Sequence, residues 1–78
     1  TSATPVTDAA ATIERVAKAH AFTEGEAASI LDHFIRSGDL TAGGVMNAVT
    51  ATAQTVADSD RAAELEDVAL DVLATVAR

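Results

Sequence analysis

The densest pattern of chemistry-bearing residues lies in the last quarter of the chain. Asp60, Glu64, Asp67 and Asp71 recur at spacings of four, three and four. On a helix this places all four carboxylates in one stripe, with Glu66 on a neighbouring face. Such a stripe can face water, dock a basic partner or hold a divalent cation. Calcium takes roughly six to eight oxygens, usually from a curved loop, and a straight helix face cannot converge that many. A solvated face is therefore favoured, a docking face comes second and a metal site third. Like charges four apart cost a few tenths of a kcal/mol each. Arg61, three residues before Glu64, offers partial relief.

The two histidines, His20 and His33, fit no H-E-x-x-H or zinc spacing. His20 continues an apolar face at a helix C-terminus, where the helix dipole favours a cation. His33 sits beside Asp32 but points about 100° away from it on a helix. Both read as structural or surface histidines. Gly43 and Gly44 follow Thr41, which exposes amides that could bind an anion. No phosphate-loop pattern accompanies them and no lysine is near. Capping and close approach of another helix explain them better. No Ser/His/Asp or Cys/His set is suggested, and the expectation is a chain without catalytic, metal-binding or cofactor-binding residues.

Nucleic-acid binding is the other chemistry to weigh. Residues 27–36 and the helix after Thr41, joined by a short turn at Gly38–Thr41, resemble a helix-turn-helix. A recognition helix carries Arg, Lys, Asn or Gln for phosphates and bases. The helix after Thr41 offers Asn47 and Gln54 but no cation. Phosphate neutralisation supplies much of the affinity for DNA, so nucleic acid is not the expected partner.

Bulk composition agrees. The 78 residues carry 12 acidic and 5 basic side chains, a net charge of -7. Lys18 is the single lysine, tyrosine and tryptophan are absent, and Phe22 and Phe34 are the only aromatics apart from histidine. Acid-rich, lysine-poor and alanine-rich composition suits a halophile cytoplasm. Dense carboxylates stay hydrated there while salt screens their repulsion, with a Debye length of about 3 Å at 1 M. An ordinary acidic protein is the alternative. Cysteine is absent, which excludes disulfides and thiolate metal sites. No apolar run approaches the roughly 20 residues that span a bilayer, and no basic-then-apolar leader is visible. A soluble cytoplasmic protein is expected. The chain begins at Thr1 rather than methionine, and either a processed protein or a domain of a longer one is expected.

One domain of this size buries only about 60% of its unfolded surface. The elements that must supply its stability read as four helices. Residues 1–6 form a lead-in, with Pro5 discouraging helix before it. Thr7 is the expected cap of a first helix over about 8–20, with Asp8 in its first turn. Glu14 and Lys18 form a favourable four-apart pair. Thr23 and Glu26 make a capping box, and Phe22 with Ala27 a hydrophobic staple, opening a second helix over about 24–37 that Gly38 ends. Thr41 opens a third, about 42–57, with Leu40 and Val45 as its staple. Asp58 or Ser59 opens a fourth, about 60–77. No strand-like alternation occurs. The expected core is Ile13, Val16, Ile30, Leu31, Phe34, Ile35, Val45, Val49, Leu65, Val68, Val72 and Leu73. The fold class is all-α, either a compact four-helix bundle or an orthogonal helical array.

The stretch 38–50, which reads Gly-Asp-Leu-Thr-Ala-Gly-Gly-Val-Met-Asn-Ala-Val-Thr, with Arg61 and Leu65-Glu66 after it, resembles the C-terminal part of a family of phage- and plasmid-borne proteins. The likeness covers under half of the chain and rests mainly on Asn47–Thr50. It implies a domain of a mobile-element protein and carries over no site residues.

The function expected from these features is a non-catalytic interaction or self-association module. Its partner would be another protein or a second copy. Candidate contacts are the acidic face Asp60, Glu64, Asp67 and Asp71 and the apolar anchors Phe22, Met46 and Leu70. The second reading is an accessory helix-turn-helix-like domain of a nucleic-acid-associated mobile-element protein.

Overall fold

A computed structural model describes residue 6 and residues 8–77. The helices are α1 (Ala9–His20), α2 (Glu24–Ser37), α3 (Ala42–Ala53) and α4 (Ser59–Ala77). The described residues contain no strand, and only Thr41 takes part in an isolated bridge. The molecule is an all-α four-helix bundle measuring 31 × 21 × 18 Å. Each helix packs against its neighbours in sequence, and α4 closes the ring on α1. The α3–α4 and α2–α3 contacts are the most extensive, while α1 is the least engaged helix.

Local signals set most boundaries. The expected cap Thr7 and the lead-in residues 1–5 lie outside the described residues. Asp8, expected inside the first turn, is itself the cap: its Oδ1 accepts from the Ala11 N–H at 3.1 Å. The chain leaves α1 through Ala21, a non-glycine residue in the left-handed region at φ 56°. The α2 capping box is complete. Thr23 Oγ1 accepts from the Glu26 N–H at 3.1 Å, and Glu26 Oε1 accepts from the Thr23 N–H at 2.9 Å. Gly38 ends α2 at φ 72° as expected.

Helix α3 stops at Ala53 rather than near 57. The Gln54 N–H already shares the Thr50 and Thr52 carbonyls. The Thr55 and Val56 amides then bond three residues back, and the Thr55 hydroxyl also donates to the Thr52 carbonyl at 2.8 Å. Hydroxyls that bond nearby backbone compete with helix continuation. The new start comes at Asp58, whose Oδ1 accepts from the amides of Asp60 and Arg61.

Helix α3 is the core of the bundle. Eight of its twelve residues are buried, including Ala42, Gly43, Gly44 and Ala48, and only Asn47 is exposed. Small residues there let the neighbouring helices approach on several sides. Ile13, Val16, Ile30, Phe34, Val45, Val49, Leu65 and Val72 are buried around it as expected, and Leu31, Val68 and Leu73 pack against them partly buried. Ile35 departs from the expectation: it is 59% exposed. It lies about 100° around α2 from Phe34 and about 140° from Ile30. Those two residues point into the bundle, so Ile35 is carried to its outside.

Candidate interaction site

The acidic stripe lies where the spacing put it. Asp60, Glu64, Asp67 and Asp71 are all exposed on α4. Asp60 donates its amide to the Asp58 side chain, and the Asp71 carbonyl accepts from the Thr75 hydroxyl at 2.9 Å. No group of three or more His, Cys, Asp or Glu among the described residues is arranged to hold a metal ion.

Arg61 does far more than relieve Glu64. Its Nη2 and Nε donate to the two carboxylate oxygens of Glu26 at 2.6 and 2.8 Å. Its Nη1 donates to Glu64 Oε2 at 3.0 Å, and its Nη2 also reaches the Ala21 carbonyl at 3.3 Å. One guanidinium thus ties the first turn of α4 to the α2 cap and to the end of α1. A planar, two-pronged donor matches a carboxylate better than a point charge does. The Arg61 hydrogen bonds hold the Glu26 carboxyl down at about 2, against an opposing push from burial. Bonds to Glu26 first, then Glu64, raise Arg61 above its ordinary value.

His20 is half-buried at the other α1–α4 contact. Its ring stacks on Phe22, with centroids 5.9 Å apart, and its Nε2 lies 3.2 Å from Thr75 Oγ1. The Thr75 hydroxyl also reaches the Asp71 carbonyl at 2.9 Å. Phe22 and His20 also line a crevice of about 240 Å³ with Glu64 and Asp67. His33, half-buried, lines another of about 350 Å³ with Arg36 and Asn47 between α2 and α3.

The three expected anchors divide. Leu70 is 70% exposed on α4. Phe22 and Met46 are partly buried against the core, so much of their apolar surface is already covered. Gly44 answers the expectation for the glycine pair in part. A Cβ there would overlap the Asp39 carbonyl oxygen and stand 3.2 Å from Phe34 Cε1. The closest approach comes from the backbone of the α2–α3 connection, and the neighbouring helix adds a side chain.

One surface feature escaped the sequence pattern. Helices α1 and α2 flank an open groove of about 510 Å³, lined by Ala10, Ile13, Ala17, Phe22, Ala28 and Leu31. Ala10, Glu14, Ala17 and Ala21 follow one another at spacings of four, three and four on α1. Glu24, Ala28 and Leu31 do so on α2, and Ile35 is the next position in that row. Side chains at such spacings share a helix face. The groove is therefore continued by the residue that missed the core. A run of alanines with one misplaced isoleucine was its only trace in the sequence.

Compared with protein-family models, with curated proteins and with solved structures, the chain matches none.

Proposed function

We propose that this chain is a non-catalytic interaction module that makes contact through the α1–α2 groove. The observation that supports this most directly is a shallow, mainly apolar trough with small-residue walls, extended by the exposed Ile35. A trough of this form suits a partner's helix: small residues let a backbone approach closely, and apolar anchors fill the floor. Phe22 contributes to that floor, whereas Leu70 lies apart on α4.

The helix-turn-helix-like reading gains nothing from the arrangement. Its recognition helix would be α3, which turns only Asn47 fully to solvent. An α-helix must lay its side chains against base edges to read sequence. The likeness of residues 38–50 to phage- and plasmid-borne proteins extends the proposal to a module within a mobile-element protein. The acid-coated fourth helix suits cytoplasm rich in salt. No helix of the described residues is long and apolar enough to cross a membrane.

Immobilised chain and its Ala28→Arg variant, exposed to the same cell extract, test the proposal. A discrete protein, or the chain itself, retained by the first and lost from the second is expected. Retention of nothing, or identical retention by both, contradicts it.

A further inference from the structure

The four helices do not hold the bundle together equally. Among the described residues α1 buries only Ile13 and Val16, whereas α3 buries Ala42, Val45, Ala48, Val49 and Ala53. The α3–α4 and α2–α3 contacts are the most extensive, and α1 packs less extensively on α2 and α4. The side-chain hydrogen bonds that α1 makes to α4 converge on one residue. His20 Nε2 lies 3.2 Å from Thr75 Oγ1, and Arg15 Nη2 donates to the Thr75 carbonyl at 3.5 Å, which is long for such a bond. Thr75 stands in the last turn of α4, which ends at Ala77, and helix ends fray.

The rest of the bundle is braced without α1. Arg61 joins α4 directly to Glu26 on α2, at 2.6 and 2.8 Å, and the Thr23–Glu26 capping box starts α2 on its own. Only Ala21, Phe22 and Thr23 separate α1 from α2. The first of them, Ala21, is at φ 56°, a left-handed conformation that is unfavourable for a residue with a Cβ.

We propose that α1 is a latch: it undocks and unravels as a unit, turning at Ala21, while α2, α3 and α4 stay packed. Proteins open in contiguous cooperative units, and those with few buried apolar contacts open most readily. A helix of 12 residues is marginal alone in water, so α1 loses its own hydrogen bonds once Ile13 and Val16 leave the core. Opening uncovers the sides of α2 and α4 on which α1 rests. It also removes one wall of the groove, the wall carrying Ala10 and Ala17. The groove therefore exists only while the latch is shut, and an occupant that needs both walls holds it shut by mass action. That last consequence rests on the groove being the contact surface; the latch itself does not.

Native-state amide hydrogen exchange of the whole chain, followed by NMR from zero to sub-denaturing urea, tests the latch. The amides of Arg15, Val16 and Ala17 lie away from the ends of α1. After correction for intrinsic rates they should exchange together, at least about tenfold faster than the slowest amides of α3. Their urea dependence should be shallower, because opening α1 exposes less surface than global unfolding. Val49→Ala separates the two events. Val49 is fully buried on α3, outside the two helices that α1 packs against. The variant should speed the slowest α3 amides by at least about tenfold and leave those of α1 unchanged, since the open state keeps the contacts of Val49. In Ile13→Ala both sets should speed up by the same factor, because both events release Ile13. Amides of α1 that exchange at the rate and with the urea dependence of α3 overturn the latch. So does a common opening of α1 with α2, or an α1 rate that rises with the α3 rate in Val49→Ala. The urea dependence of the parent chain decides the question even if Val49→Ala fails to fold.

Discussion

Arg61 and Glu26 meet through two hydrogen bonds of 2.6 and 2.8 Å, although 35 residues separate them. Glu26 simultaneously closes the α2 capping box on Thr23, so one carboxylate serves both a local and a distant contact. Its side chain is only 13% exposed. Removing the guanidinium would strand a largely buried charge. Arg61→Ala is therefore expected to lower unfolding free energy by about 2–3 kcal/mol. Exposed ion pairs contribute a few tenths of a kcal/mol, so Lys18→Ala should cost far less. Urea unfolding of the two variants side by side checks the difference.

Acid should attack the same contact. The folded Glu26 carboxyl titrates at about 2, below its ordinary 4.5. A depressed carboxylate stabilises the fold fully above its unfolded value and loses that contribution as the proton binds. Stability should hold down to about pH 4.5 and fall as pH drops through about 2. The loss attributable to this group is on the order of 2 kcal/mol. Thermal melts across that window in the parent and in Glu26→Gln test the assignment. The variant should start less stable and show a shallower acid decline. Parallel declines would contradict it.

Glycines divide sharply by what surrounds them. A Cβ on Gly44 would overlap the Asp39 carbonyl oxygen, part of a backbone that cannot swing aside. Gly44→Ala is expected to abolish the cooperative fold or cost at least about 3 kcal/mol. Gly25, in the first turn of α2, has nothing nearer than 4.0 Å. Gly25→Ala should be neutral or stabilise by up to about 1 kcal/mol. Melting temperatures of the pair decide the matter.

The acid excess carries an expectation of its own. If the carboxylates of α4 suit the protein to concentrated salt, helicity or melting temperature should rise from dilute buffer to about 1 M KCl, where screening is strong. Circular dichroism reads both. Full, unchanged helicity without salt would remove the halophile interpretation.

What the sequence made legible was local. The Thr23–Glu26 capping box, the Gly38 exit and the exposed row Asp60, Glu64, Asp67 and Asp71 each involve residues within a turn or two of one another. Spacing alone therefore defines them. The end of α3 depended on hydroxyls of Thr52 and Thr55 competing for backbone, which periodicity does not register. Ile35 belongs to the apolar stripe of α2, but a stripe does not say where the neighbouring helix lies. That direction is set by α3, and it leaves Ile35 outside. Arg61 with Glu26, and Gly44 with Asp39, are fixed by tertiary placement, the first across 35 residues and the second by a tight connection. The groove itself arises from which side of α1 and α2 no third helix covers.

Amide chemical shifts of the labelled chain, followed both on dilution and on addition of cell extract in about 1 M KCl, test the groove most directly, because screening there leaves apolar contact dominant. Shifts that change should cluster on Ala10, Ala17, Ala28, Leu31 and Ile35, with Leu70 and Asp71 unmoved. Movement centred on Leu70, or none in either experiment, would contradict the account.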